Sequence, residues 1–302
     1  MMDFAGTYTP LATPFAADGS LDERGLRANV ERYMTTPLTG LVVLGSNGEA
    51  PQLDEDESDR AIATVRAAMP ADRPLLAGTG RESTVATVAA TRRAADLGAD
   101  AVLVRTPSFF KGQMTTDVFV RFYTEVAERS PVPVLLYNVT MYTAVNMLPD
   151  AVAVLSQHPN IIGMKESGAD MAQMAEHLTR STDDFIVLAG AASTYYAALA
   201  LGVDGGILAL AGVAPAHCAQ MAALVVAGRF AVARLLQRRL APLGRSLGAN
   251  FGVAGLKAAL DLIGYVGGAP RPPLVPAGAA AIATLRAQLD ELHLIEAAAA
   301  RS

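Results

Sequence analysis

Residues 133–138 read PVLLYN and residues 161–165 read IIGMK. Each is a short apolar run that ends on a side chain with chemistry, Tyr137 in the first and Lys165 in the second. Apolar runs of this length are predicted to be strands buried on both faces. The same unit recurs outward in both directions, at Thr7–Thr13, Gly40–Gly45, Pro74–Thr79, Ala101–Arg105, Phe185–Gly190 and Gly206–Leu210. Between these runs, segments such as Asp54–Met69, Ser83–Leu97 and Thr116–Arg129 repeat their apolar residues at helical intervals. Asp54-Glu55-Asp56-Glu57 opens one of them with acids suited to an N-cap and to the positive end of a helix dipole. Eight strands, each followed by a helix, predict an α/β chain closed into a (β/α)8 (TIM) barrel, with an open doubly wound sheet as the plainer alternative.

Beyond the eighth run the pattern is helical from Pro215 to Ile263, then a stiff GGAPRPPLVP connector at 267–276. A last amphipathic helix sets Ile282, Leu285, Leu289 and Leu292 on one face. The expected division is a barrel over 1–214 and a helical extension over 215–302 packed on it, with no second catalytic domain.

Composition narrows the function. With 52% hydrophobic and 18% charged residues, the chain can bury a large core and is far from a disordered profile. A net charge of −5 without any dense basic run argues against a nucleic-acid partner. Two uncharged stretches, Phe185–Val203 and Gly205–Gly228, imitate membrane spans. Ser193 to Tyr196 interrupt the first, and Pro215, His217 and Gln220 the second, so no membrane association is expected. Met1 to Phe15 lacks a basic stretch followed by an apolar one, so the expected location is the cytoplasm. Cys218 is the only cysteine, and His158, His177, His217 and His293 stand far apart, which disfavours a disulfide or a histidine-cysteine metal centre.

Only three of the 24 basic residues are lysines, Lys111, Lys165 and Lys257. Arginine stays protonated, whereas a lysine can lose its proton and attack a carbonyl. Lys165 closes the sixth run, at the strand end that faces the active site of such a barrel. The plain reading of Lys165 is a side chain snorkelling to solvent, and that of Tyr137 a rim tyrosine. Their positions at the ends of adjacent strands favour a nucleophile with a phenolic proton shuttle. Gly45-Ser46-Asn47-Gly48-Glu49 permits a tight turn whose amides and short polar side chains suit a carboxylate, although a generic strand-to-helix loop reads almost the same. No glycine pattern matches a dinucleotide or P-loop site.

Taken together, the turn at 45–49, Thr106-Pro107, Tyr137-Asn138 and Gly163-Met164-Lys165-Glu166 resemble, in order, the dihydrodipicolinate synthase/N-acetylneuraminate lyase family of Schiff-base aldolases. The likeness runs from Gly6 to about Pro276. Ser156-Gln157-His158-Pro159-Asn160-Ile161, Lys165-Glu166-Ser167-Gly168 and Phe251-Gly252-Val253-Ala254-Gly255-Leu256-Lys257 are most similar to its 4-hydroxy-2-oxoglutarate aldolase branch. The resemblance implies Lys165 as the Schiff-base residue, Tyr137 as its proton partner, and Ser46 and Asn47 at the substrate carboxylate. It adds Ser167, Gly190 and Ile207 as pocket wall, a homotetramer, and no cofactor or metal. Three positions depart from the family pattern. Thr106-Pro107 is followed by Ser108, Phe109 and Phe110, where the family carries a proton-relaying tyrosine. Tyr142 stands where the synthases carry an arginine for a second carboxylate. Thr140 and Ala144 replace proline and glycine of that loop.

The expected function is a class I carbon–carbon lyase acting on a 2-oxo acid such as 4-hydroxy-2-oxoglutarate or a related pyruvate aldol. The alternative within the same imine chemistry is a dehydratase or hydratase-aldolase of a deoxy sugar acid or an aryl or acyl pyruvate. Phe109, Phe110, Met141 and Tyr142 favour it if they line the distal pocket. A catalytically silent 2-oxo acid binding protein is the alternative of another class. With Tyr142 in the strand-five loop, a second carboxylate has no cation there unless Arg81 or Arg105 reaches the barrel mouth.

Overall fold

A computed structural model describes residues 2–295. Eight parallel strands close into a barrel in sequence order: β1 (Gly6–Pro10), β2 (Gly40–Val43), β3 (Leu75–Gly78), β4 (Ala101–Arg105), β5 (Val134–Asn138), β6 (Ile161–Glu166), β7 (Ile186–Ala189) and β8 (Gly205–Ile207). The expected (β/α)8 barrel is therefore observed, and each of the eight apolar runs contains a strand, although β1 stops at Pro10 and β8 at Ile207, short of the ends of their runs. Successive side chains of a strand point to opposite faces. Tyr8, Val42, Leu76, Leu103, Leu135, Leu188 and Ile207 thus fill the barrel interior. Val43, Val102, Val104, Leu136, Met164 and Val187 face the surrounding helices.

The helices begin where their caps say. Asp54 forms a capping box with Glu57 ahead of Glu55–Ala68, and Ser83 accepts from the Ala86 amide ahead of Thr84–Asp96. Pro215–Val226 packs on β1 and on the Tyr195–Leu201 helix, covering the closing seam. Phe230–Arg245 follows and runs into a π turn at Ser246–Asn250, closed by the Phe251 amide donating to the Ser246 carbonyl at 3.0 Å. Gly252–Leu262 and Ala279–Glu291 complete the extension, and Leu285 and Leu289 of the last helix are buried. Among the described residues no helix is long and apolar enough to cross a membrane.

Two local features set the barrel's geometry. Between β5 and β6 the register shifts by one residue: Val134 pairs with Ile161, but Leu135 pairs with Gly163. From there on Leu136 faces Met164, Tyr137 faces Lys165 and Asn138 faces Glu166. The extra residue, Ile162, is what turns Lys165 to the interior rather than toward the helices. The second feature is the β8–β1 seam, where Gly6 and Gly205 are paired and both adopt positive φ, 130° and 148°. A Cβ on Gly205 would lie 1.9 Å from the Gly6 carbonyl oxygen, so neither the backbone angle nor the space admits another residue. Gly205→Ala is expected to lower stability by about 2 kcal/mol or more. The urea midpoint measures it, and an unchanged midpoint would refute the packing argument.

Candidate active site

Lys165 and Tyr137 are paired neighbours on β6 and β5, both nearly buried. The Lys165 Nζ lies 4.3 Å from the centroid of the Tyr137 ring, so the aromatic face shields the amine on one side. Among the described residues Lys165 makes no ion pair with a carboxylate. Its strand neighbour Glu166 is the nearest acid in sequence, and the pleat sends it to the opposite face. There its carboxylate accepts from Asn138 Nδ2 at 2.7 Å, the Gly168 amide at 2.5 Å and Gln173 Nε2 at 3.4 Å. Asn138 in turn accepts from the Met147 amide at 3.1 Å. These bonds fix the ends of β5 and β6 without lending a charge to the cavity.

The Tyr137 hydroxyl is 3.2 Å from the Ser46 hydroxyl, with either able to donate. Ser46 opens a short 3-10 turn, Ser46–Gly48, after β2. Leu44 and Glu49 flank it with left-handed backbone, φ 57° and 56°. Thr13 Oγ1 donates to the Gly48 carbonyl at 2.7 Å. The strained Glu49 is held by a buried ion pair, its Oε1 2.5 Å from Lys257 Nζ, while its Oε2 accepts from the Arg271 amide at 2.8 Å. Lys257 also donates to the Ala269 carbonyl at 2.9 Å and sits 4.4 Å from the Phe15 ring centroid. Burial pushes the Lys257 amine below its ordinary range, and the hydrogen bond it donates to Glu49 opposes that shift. The turn that carries Ser46 and Asn47 is thus tied to the C-terminal extension by charges placed out of water.

Ser46, Asn47, Tyr137, Tyr142, Lys165, Ser167, Gly190 and Ile207, the whole set expected from the sequence, line one cavity of about 160 Å³. Gly190 has a steric reason to be there, since a Cβ would lie 2.0 Å from the Ser167 hydroxyl oxygen. Sequence reasoning missed Arg245, Gly248 and Ala249, which form the wall contributed by the end of the Phe230–Arg245 helix and its π turn. Nothing local to the sequence aims a distant helix end into a barrel mouth. One expectation is corrected: Phe109 and Phe110 line neither this cavity nor the next one. They stack edge to face, with centroids 5.1 Å apart, on the exposed β4 loop. Arg81 and Arg105 are absent from this cavity, but with Ser46 and Tyr137 they line a small one of about 40 Å³ at the same mouth, and Arg105 also lines the larger neighbour described next. Arg81 pairs with Glu55 at 3.1 Å and Arg105 with Glu82 at 2.8 Å. A larger cavity of about 600 Å³ adjoins the first through Ser46, Val139 and Tyr142, and is walled by Phe251, Val253, Leu274 and Val275. No cluster of three metal-ligating side chains occurs among the described residues.

A buried, unpaired lysine against a phenol, at the C-terminal mouth of a parallel barrel, is an arrangement for imine chemistry. The profile of the dihydrodipicolinate synthetase family matches residues 3–292. The chain belongs to that family. Like its members, it is a Schiff-base-forming carbon–carbon lyase of the pyruvate-dependent aldolase class. It is similar to the 4-hydroxy-tetrahydrodipicolinate synthases of Methanothrix thermoacetophila and an Exiguobacterium species. The first is 37% identical over 90% of this chain and 92% of the relative, the second 33% identical over 96% and 98%. Among solved structures, the dihydrodipicolinate synthase of Thermotoga maritima superposes with a TM-score of 0.92 at 30% identity, over 97% of this chain and 99% of the other. That of Acinetobacter baumannii complexed with pyruvate gives 0.92 at 29% identity, over 97% and 100%.

Removing one partner of the Glu49–Lys257 pair strands the other charge in the interior, which costs about 3–5 kcal/mol. Lys257→Met is therefore expected to lose that much stability, and to raise KM for the 2-oxo acid as the 45–49 turn loosens. The double variant Glu49→Gln/Lys257→Met, with no lone charge, is expected to be the more stable of the two. Denaturant titration of both variants tests the claim, and equal midpoints would refute it.

Proposed function

We propose that Lys165 forms the imine with a 2-oxo acid, that Tyr137 moves the protons of the reaction, and that Ser46 and Asn47 hold the substrate carboxylate. The observation that carries this reading is the line from Lys165 to the Tyr137 ring and on to the Ser46 hydroxyl, inside one cavity. The neutral amine attacks C2 of pyruvate and water leaves, giving an iminium. Loss of a C3 proton gives the enamine, with the iminium nitrogen as electron sink. The enamine carbon then bonds to the aldehyde carbonyl carbon. The aldehyde oxygen takes a proton from Tyr137, and hydrolysis frees Lys165. Cleavage runs the same steps backward, with Tyr137 taking the C4 hydroxyl proton. No step calls for a cofactor.

The aldehyde half is the finer question. The names of the relatives favour 4-hydroxy-tetrahydrodipicolinate formation. The segments around Lys165 and Lys257 resemble the 4-hydroxy-2-oxoglutarate aldolases. One Lys165 enamine serves either reaction. The apolar walls of the adjoining cavity favour, as a second reading, a hydratase-aldolase of aryl or acyl pyruvates. Comparing kcat/KM for condensation of pyruvate with aspartate semialdehyde, for cleavage of 4-hydroxy-2-oxoglutarate and for an aryl-substituted pyruvate separates the three. We propose further that the protein is a cytoplasmic homotetramer. Exposed Phe109, Phe110, Val226 and Leu235 support an assembly that covers apolar surface.

Borohydride added with pyruvate is expected to label Lys165, read by intact mass and peptide mapping. Label at Lys111 or Lys257 would sink the assignment. Lys165→Ala is expected to abolish turnover with an unchanged circular dichroism spectrum. Tyr137→Phe keeps the ring and removes the proton carrier, so kcat should fall by roughly 10²–10⁴. A defect confined to KM would contradict the role.

A further inference from the structure

Behind the catalytic pair, on the helix side of the barrel wall, lies a second pair one residue further along the same two strands. Asn138 follows Tyr137, Glu166 follows Lys165, and the displaced register sets Asn138 opposite Glu166. Asn138 Nδ2 donates to Glu166 Oε2 at 2.7 Å. The spacing of Tyr137 and Lys165 is therefore backed by a bond between their next neighbours. Glu166 also reaches the rest of the cavity wall. Its Oε1 accepts from the Gly168 amide at 2.5 Å, and its main-chain carbonyl accepts from the Gly190 amide at 2.6 Å. The Ser167 amide donates to the Asn138 carbonyl at 3.0 Å. Lys165, Tyr137, Ser167 and Gly190 thus all hang on two buried polar residues, neither of which lines the cavity.

The Met171–Arg180 helix braces this pair from outside. Gln173 and His177 stand one turn apart on one face of it. Gln173 Nε2 donates to Glu166 Oε2 at 3.4 Å, and Asn146 joins Gln173 and Asn138 through bonds of 2.7 and 2.8 Å. His177 is wholly buried, and its Nε2 lies 3.3 Å from Glu166 Oε2. It is the only basic side chain within ion-pair distance of Glu166 among the described residues. Neither imidazole nitrogen has a hydrogen bond there. A buried carboxylate beside an incompletely bonded imidazole costs stability that apolar packing would not. Stability therefore does not account for the cluster, whereas its place behind the nucleophile does.

We propose that Glu166 is the positioning residue of the site. Clasped to Asn138 and braced by Gln173 and His177, it holds the Lys165 amine against the Tyr137 phenol, so that the imine forms where the C3 proton can be moved. It acts through the strand ends and touches no substrate. The proposal rests on the imine assignment above.

Exchange of the C3 protons of pyruvate for deuterium, followed by NMR, tests this without any aldehyde. Glu166→Gln turns one carboxylate oxygen into an amide nitrogen that meets donors. Exchange is then expected to fall about 10- to 100-fold, as for a misplacement near 1 Å, with KM for pyruvate changed much less. Adding Asn138→Asp exchanges donor and acceptor across the same bond and should recover a large part of the lost rate. His177→Gln keeps a donor on the helix and should retain more exchange than His177→Leu. A merely structural role would lower the urea midpoint of Glu166→Gln and leave the rate per folded molecule unchanged. That result, or a double variant no faster than Glu166→Gln, would overturn the proposal. If Glu166→Gln does not fold, the His177 variants decide, and wild-type exchange in both overturns it. Absence of borohydride label on Lys165 in the wild-type protein would sink the imine reading and this one together. Label there with unchanged exchange in the variants would sink this one alone.

Discussion

A single extra residue between β5 and β6 decides which side chains meet in the barrel. Without the shift at Ile162, Met164 would stand opposite Tyr137 and Lys165 would point at the helices. With it, Tyr137 and Lys165 share an inward register and Glu166 an outward one. A slip of one residue reverses every side chain of a strand, so one local irregularity exchanges a thioether for an amine at the cavity floor. The neighbouring β6–β7 pairing preserves the result, since Lys165 lies opposite Leu188 and Glu166 opposite Ala189. Gly163 lets β6 lie close to β7, as a Cβ there would be 2.4 Å from the Ile186 carbonyl oxygen.

The two buried lysines show how charge is allocated. Lys257 is saturated by Glu49 and a carbonyl, and its work is to hold a strained turn in place. Lys165 has an aromatic face and a cavity instead. A carboxylate placed ~4 Å from an amine would favour the ammonium form by about 4 kcal/mol at an effective dielectric near 20. The pleat prevents Glu166 from doing this, and Asn138, Gly168 and Gln173 satisfy it on the far side. Two adjacent ionisable residues of β6 therefore have separate tasks, one structural and one open to a substrate.

Much of this was legible in the sequence because its signals were local. Apolar runs of five to seven residues marked the eight strands, and Asp54 and Ser83 marked helix starts by their own capping bonds. Lys165, Tyr137, Ser46 and Asn47 were readable from strand ends and the 45–49 turn, since a parallel barrel gathers all its strand ends at one mouth, whereas Tyr142, Ser167, Gly190 and Ile207 came from the family resemblance. What depended on long-range aim was not readable. The inward turn of Lys165 was inferred from a plain strand end, whereas it depends on the displaced register at Ile162. Phe109 and Phe110 were placed near the pocket by sequence proximity to Thr106-Pro107, yet the β4 loop carries them to the surface. Arg245 lies 80 residues beyond Lys165, and only the packed extension brings it to the same cavity.

The outward course of the β4 loop bears on how protons travel in the reaction proposed for this site. Neither aromatic that follows Pro107 is a phenol, and neither enters the cavity of its own chain. The Tyr137 hydroxyl is left with Ser46 as its hydrogen-bonding partner among the described residues. A phenol that both takes and returns a proton needs only a second hydroxyl or a water at bonding distance. On the reading proposed here, Ser46 supplies that hydroxyl while its turn holds the substrate carboxylate. On that proposal the relay is short, and its precision rests on whatever fixes the 45–49 turn. That is the Glu49–Lys257 pair, which ties proton transfer at the barrel mouth to the packing of the C-terminal helices.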